Sequence, residues 1–130
     1  MTSYHTESST SMSVARRRTG TGLTILVGVL LMASGTVKML AVPPVVGPLK
    51  QYGFVHTVPL VATLEIISGV LFLLPRTRSF GLVFASAFMG GAVATHIQHA
   101  ETIQLVPAAL VLALLWIATW LKHPAALWSF

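Results

Sequence analysis

Cysteine does not occur in the 130 residues. Its absence excludes disulfides, thiolate metal ligands, a CxxC redox pair and an iron–sulfur cluster ligated by cysteine. Acidic residues are also scarce: only Glu7, Glu65 and Glu101 are present. Charged residues make up 8% of the chain, where a soluble domain carries roughly a quarter. A surface so poor in charge cannot be covered by water. With 55% hydrophobic residues and a mean hydropathy of +0.82, the solvent for most of this chain is lipid. There is no glycine-rich phosphate loop, no nucleophile elbow and no HExxH, so dinucleotide-binding or hydrolase chemistry within the chain is excluded.

What charge there is carries information through its placement. The formal net charge is +5, which by itself would suit nucleic acid. But Arg16, Arg17 and Arg18 stand just before an apolar run, and Arg76 and Arg78 sit in a short gap between two others. Basic residues at the ends of hydrophobic spans mark topology, so no nucleic-acid partner is implied.

The hydropathy pattern predicts an all-α, transmembrane four-helix bundle with helices at about 23–42, 57–74, 79–97 and 103–121. About 20 residues of helix span ~30 Å, the thickness of the hydrocarbon core. Pro59 is tolerated in a first turn, and Pro107 introduces a bend early in the last helix. Residues 1–22, rich in Ser and Thr, read as a disordered tail, residues 23–121 as the membrane domain, and residues 122–130 as a short carboxyl-terminal tail. If the helices alternate, Arg16, Arg17, Arg18, Arg76, Arg78 and Lys122 share one side, and Lys50 stands alone on the other. That asymmetry puts both termini in the cytoplasm. Trp116, Trp120 and Trp128 then form an aromatic belt at the same interface, and the segment 43–57 becomes an interfacial segment or short re-entrant turn on the outer side. A cleaved signal peptide is the alternative for the first run. It is disfavoured because the run is long and lacks a small-x-small cleavage site.

Two features remain once the spans are drawn. The third run has small residues at spacings of four, Ser86, Gly90 and Ala94, with Ala87, Gly91 and Thr95 on the adjacent ridge. Such a face packs closely against a helix of the same chain or of a second copy, making a homo-oligomer. The other feature is costly: Lys38, Glu65 and His96 are ionisable residues inside apolar runs. By the rise per residue, Lys38 lies ~22 Å from the start of its helix and Glu65 ~10 Å from the opposite start of the next. His96 ends the third run, so all three fall in the outer half of the membrane. Lys38 and Glu65 are expected to pair, fixing register or forming a polar pocket in which Glu65 exchanges protons. His96 is expected to cap its helix or bond Glu65. A metal site built from His56, His96, His99 and Glu101 is the weaker reading, because His99 and Glu101 fall at the water boundary where polar residues need no special account.

The ordered motifs resemble the DoxX-like family of small bacterial integral membrane proteins. They are Ala33-Ser34-Gly35-Thr36-Val37-Lys38-Met39-Leu40, then Leu64-Glu65-Ile66-Ile67-Ser68-Gly69-Val70-Leu71, then Phe88-Met89-Gly90-Gly91-Ala92-Val93-Ala94-Thr95-His96. The resemblance implies a four-helix membrane bundle in the bacterial plasma membrane. Founding relatives are associated with a thiosulfate:quinone oxidoreductase, and others with membrane complexes that detoxify oxidants. A subunit tied to a quinone- or thiol-linked oxidoreductase is therefore expected, with a quinone as the implied cofactor and partner oxidoreductase subunits beside it. The lack of cysteine leaves quinone contact or partner scaffolding as the roles open to this chain. A non-catalytic scaffold or assembly factor is the alternative, and a small transporter a third.

Overall fold

The computed structural model describes residues 3–124, with side chains from Ser13 onward. Trp128 and the carboxyl-terminal segment from residue 125 lie outside the described residues, as do residues 1 and 2. The described chain is all helical: α1 Ser3–Met39, α2 Pro43–Gln51, α3 Val58–Leu73, α4 Arg78–Gln98 and α5 Thr102–Lys122. The expected count of four is thus corrected to five. The extra helix, α2, falls where an interfacial segment was expected. Pro43 and Pro44 occupy its first turn, where a missing N–H breaks no intrahelical bond, so the prolines that end one helix also start the next. α1 begins 20 residues ahead of the expected start near 23 and stops at Met39 rather than 42. The other three helices keep the expected places to within one or two residues.

Three of these helix ends share one device. After α1, Ala41 adopts φ 54°, and the N–H of Val42 reaches back to Val37 O at 3.4 Å. After α2, Gly53 has φ 93° and Phe54 N–H donates to Leu49 O at 3.0 Å. After α4, Ala100 has φ 56° and Glu101 N–H donates to His96 O at 2.9 Å. Each is a left-handed closure that satisfies the last carbonyls of its helix and turns the chain sharply. α5 continues through Pro107 without ending.

α1 packs on α3 and α5, and α4 packs on the same two, so the four long helices form a ring in the order α1, α3, α4, α5. α1 and α3 approach closely through two glycines. A Cβ on Gly35 would lie 2.8 Å from Ala62 O, and one on Gly69 would lie 2.7 Å from Gly28 O. No other side chain fits that seam. The apolar core, with Val27, Leu31, Phe72, Leu82, Ala85, Met89, Leu115 and Ala118, fills the half of the ring where α3 ends and α4 begins. There Trp116 Nε1–H donates to Ser86 Oγ at 3.1 Å, tying α5 to α4.

The outer surface is apolar: Phe80 is 76% and Ile103 85% exposed. Ser13–Met39, Arg78–Gln98 and Thr102–Lys122 are long and apolar enough to cross a membrane. α3 is equally apolar but has 16 residues, just under the usual spanning length.

Candidate functional site

The core fills only one half of the ring. The other half encloses a cavity of about 710 Å³, with walls from all four long helices and a cover made by Leu49, Tyr52 and Phe54 of the α2 segment. Most of its lining is aliphatic or aromatic, including Leu31, Phe88, Met89, Val111 and Leu114. Its polar lining is gathered from four elements: Ser34 and Lys38 from α1, Glu65 from α3, Thr95 and His96 from α4, and Gln104 from α5.

Lys38 and Glu65 face each other across the glycine seam. The Lys38 Nζ donates to Glu65 Oε2 at 2.6 Å and to Ser34 Oγ at 2.7 Å. Glu65 is 3% exposed, so its charge sits in the protein interior, where an unpartnered carboxylate would be very costly. The close α1–α3 approach at Gly35 and Gly69 allows two side chains on neighbouring helices to meet end to end. Ser34, four residues before Lys38, sits one helical turn away on the same face and takes a second ammonium proton.

His96 lines the same cavity from α4, yet it does not bond Glu65 as the sequence suggested. The left-handed turn at Ala100 folds Glu101 back, and His96 Nδ1 lies 3.4 Å from Glu101 Oε2 without hydrogen-bond alignment. The ring of Tyr52 stands edge-on to His96 with centroids 6.0 Å apart and packs against His99 at 4.4 Å with the planes tilted by 39°. His99 uses its Nδ1–H on Thr95 O at 2.8 Å. His56 is exposed in the turn before α3. Among the described residues, no three His, Asp or Glu side chains are grouped to hold a metal. The predicted residues therefore divide: Lys38, Glu65 and His96 share one cavity, whereas His56 and His99 stay outside its lining.

Sequence reasoning missed Ser34, Tyr52 and Gln104. Ser34 carried a usable signal in its spacing of four from Lys38. Tyr52 and Gln104 carried none, since only the fold brings them to the cavity.

The small-residue face on α4 has an unexpected place. A Cβ on Gly90 or Gly91 would meet nothing within 4 Å, so these glycines do not mediate packing within the chain. Gly91 and Ala87 instead border the cavity.

The profile of the DoxX-like family matches residues 22–118, which takes in α3 and α4 whole, most of α5, the second half of α1 and every cavity residue. The chain belongs to the DoxX-like family. As a DoxX-like protein with three spanning-length apolar helices, it is a multi-pass membrane protein. No curated protein and no solved structure matches the chain.

Proposed function

We propose that this DoxX-like protein is a small accessory subunit of the bacterial plasma membrane that holds an amphiphilic ligand, in first place a quinone, for a quinone- or thiol-linked oxidoreductase. In this reading α1, α3, α4 and α5 form a transmembrane bundle with both termini cytoplasmic, and the cavity lies in the outer half of the bilayer. One observation carries the proposal: a mostly apolar cavity of about 710 Å³ has a buried Lys38–Glu65 ion pair in its wall.

The chemistry of the wall suits such a ligand. A lysine ammonium has three protons to donate. Glu65 and Ser34 take two of them, leaving the third for a ligand carbonyl. His96 can give or accept a proton on another side of the same space, and the aliphatic lining suits an isoprenoid or acyl tail. When bound, a quinone would supply the electron-carrying chemistry; the residues of this chain orient it, exclude water and handle protons.

The test is to purify the protein in mild detergent, extract bound lipid and titrate with a quinone analogue. A quinone in the extract, and binding weakened at least tenfold by Glu65→Gln, is the expected result. An extract free of quinone, with analogue binding unchanged in the variant, would discard the reading.

A scaffold role is the second reading, favoured by the open face at Gly90 and Gly91. Close helix packing in lipid uses such small residues. Cross-linking in native membranes through Gly90→Cys, in a chain with no other cysteine, would trap a partner or a second copy. A chain that runs alone counts against it.

A further inference from the structure

At the end of the ring away from the cavity, basic side chains converge from three helices. Arg16 and Arg17 come from α1, Arg78 from the first residue of α4, and Lys122 from the last of α5. The Arg16 guanidinium lies over the Trp120 ring at 4.4 Å, and its Nη2–H donates to Trp120 O at 3.3 Å. Lys122 lies across Gly20: a Cβ there would be 2.7 Å from Lys122 Cγ. This places its ammonium within electrostatic reach of Arg17 and Arg78. Arg78 in turn directs its Nε–H and Nη2–H to Phe72 O and Leu73 O at 3.3 and 3.4 Å, which fixes it where α3 ends.

Among the described residues, no acidic side chain balances this group. Glu65 and Glu101 are both at the cavity end. Like charges drawn together by packing repel one another, and an anion relieves that cost. Arg16 Nε is buried and has no hydrogen-bonding partner among the described residues. Helix α4 begins here as well, with no side-chain cap on its first amides. A helix start adds a favourable field for negative charge.

We propose that Arg16, Arg17, Arg78 and Lys122 form a binding site for the phosphate of an anionic phospholipid headgroup. The ligand is a lipid rather than a soluble anion because exposed apolar side chains follow the basic residues into the spans, Phe80 two residues after Arg78 and Ile117 five residues before Lys122. Phosphate on the charges and acyl chains along those flanks match one amphiphile. Basic clusters at helix ends commonly recruit anionic lipid in this way. The site is separate from the cavity and does not depend on what the cavity binds.

The full chain, reconstituted in phosphatidylcholine vesicles, is titrated with brominated-chain phosphatidylglycerol or brominated phosphatidylcholine while tryptophan quenching is followed. Phosphatidylglycerol is expected to quench at several-fold lower mole fraction. Arg17→Gln with Lys122→Gln is expected to weaken that preference by about fivefold per charge removed, whereas Arg17→Lys with Lys122→Arg keeps it. Unchanged quenching by the brominated phosphatidylcholine in the glutamine variant reports an intact fold. If that variant does not fold, exposed Arg17→Gln alone is read, with a fivefold loss expected. Equal quenching by both lipids, a preference untouched by the glutamine changes, or loss of the preference to millimolar inorganic phosphate would overturn the proposal.

Discussion

Lys38 on α1 and Glu65 on α3 meet at 2.6 Å beside a helix seam that leaves no room for a Cβ at Gly35 or Gly69. The pair belongs at once to the packing of the ring and to the wall of its cavity. Removing one partner leaves the other charged in the interior. Lys38→Met or Glu65→Gln is expected to cost about 3–5 kcal/mol, whereas the two together cost less than either alone. Thermal unfolding in detergent, arranged as a double-mutant cycle, gives the coupling directly. Additive losses would show that the two groups do not depend on each other.

The glycines sort into two classes with opposite outcomes. Gly35→Ala and Gly69→Ala place a methyl 2.8 Å or less from a backbone oxygen of the facing helix, so each is expected to destabilise by about 1–3 kcal/mol. Gly90→Ala meets open space and gains helix propensity, so it is expected to be neutral or to stabilise by about 0.5–1 kcal/mol. Melting temperatures of the three variants in one detergent check the contrast.

Ala41 and Ala100 hold left-handed backbone that costs an L-residue about 1–2 kcal/mol. Glycine there removes the steric penalty, though it adds some unfolded-state entropy. Ala100→Gly is therefore expected to stabilise by up to about 1 kcal/mol, and Ala100→Val to destabilise. The glycine variant melting below the parent would show that the Ala100 methyl makes a compensating contact.

The lack of cysteine allows a direct reading of topology. If both termini are cytoplasmic, as proposed, His56→Cys is expected to react with a membrane-impermeant maleimide from outside intact cells, and Arg76→Cys only after permeabilisation. Both positions are exposed in turns, so burial does not mask either. The reverse labelling pattern would invert the proposed orientation.

Most of the helical plan was legible because lipid imposes it. A chain in hydrocarbon must close its own backbone hydrogen bonds, and runs of apolar residues mark where it does so. The starts of α3, α4 and α5 could be placed to within one or two residues for that reason. α2 was not legible, since its prolines resemble a loop until Pro43 and Pro44 are seen to fill a first turn. The start of α1 was missed because its polar residues have no hydrophobic period.

The site divides along the same line. Lys38, Glu65 and His96 stood out because charge inside an apolar run is expensive wherever the fold puts it, and depth along each helix follows from the rise per residue. Sequence by itself thus determined that this is a membrane protein with three costly residues at one level. Partners across helices depend instead on rotation and closeness of approach, which a single run does not encode. Only the tertiary structure decided that Glu65 answers Lys38 through a glycine seam, that the turn at Ala100 swings Glu101 toward His96, and that the space between them is a cavity rather than a packed core.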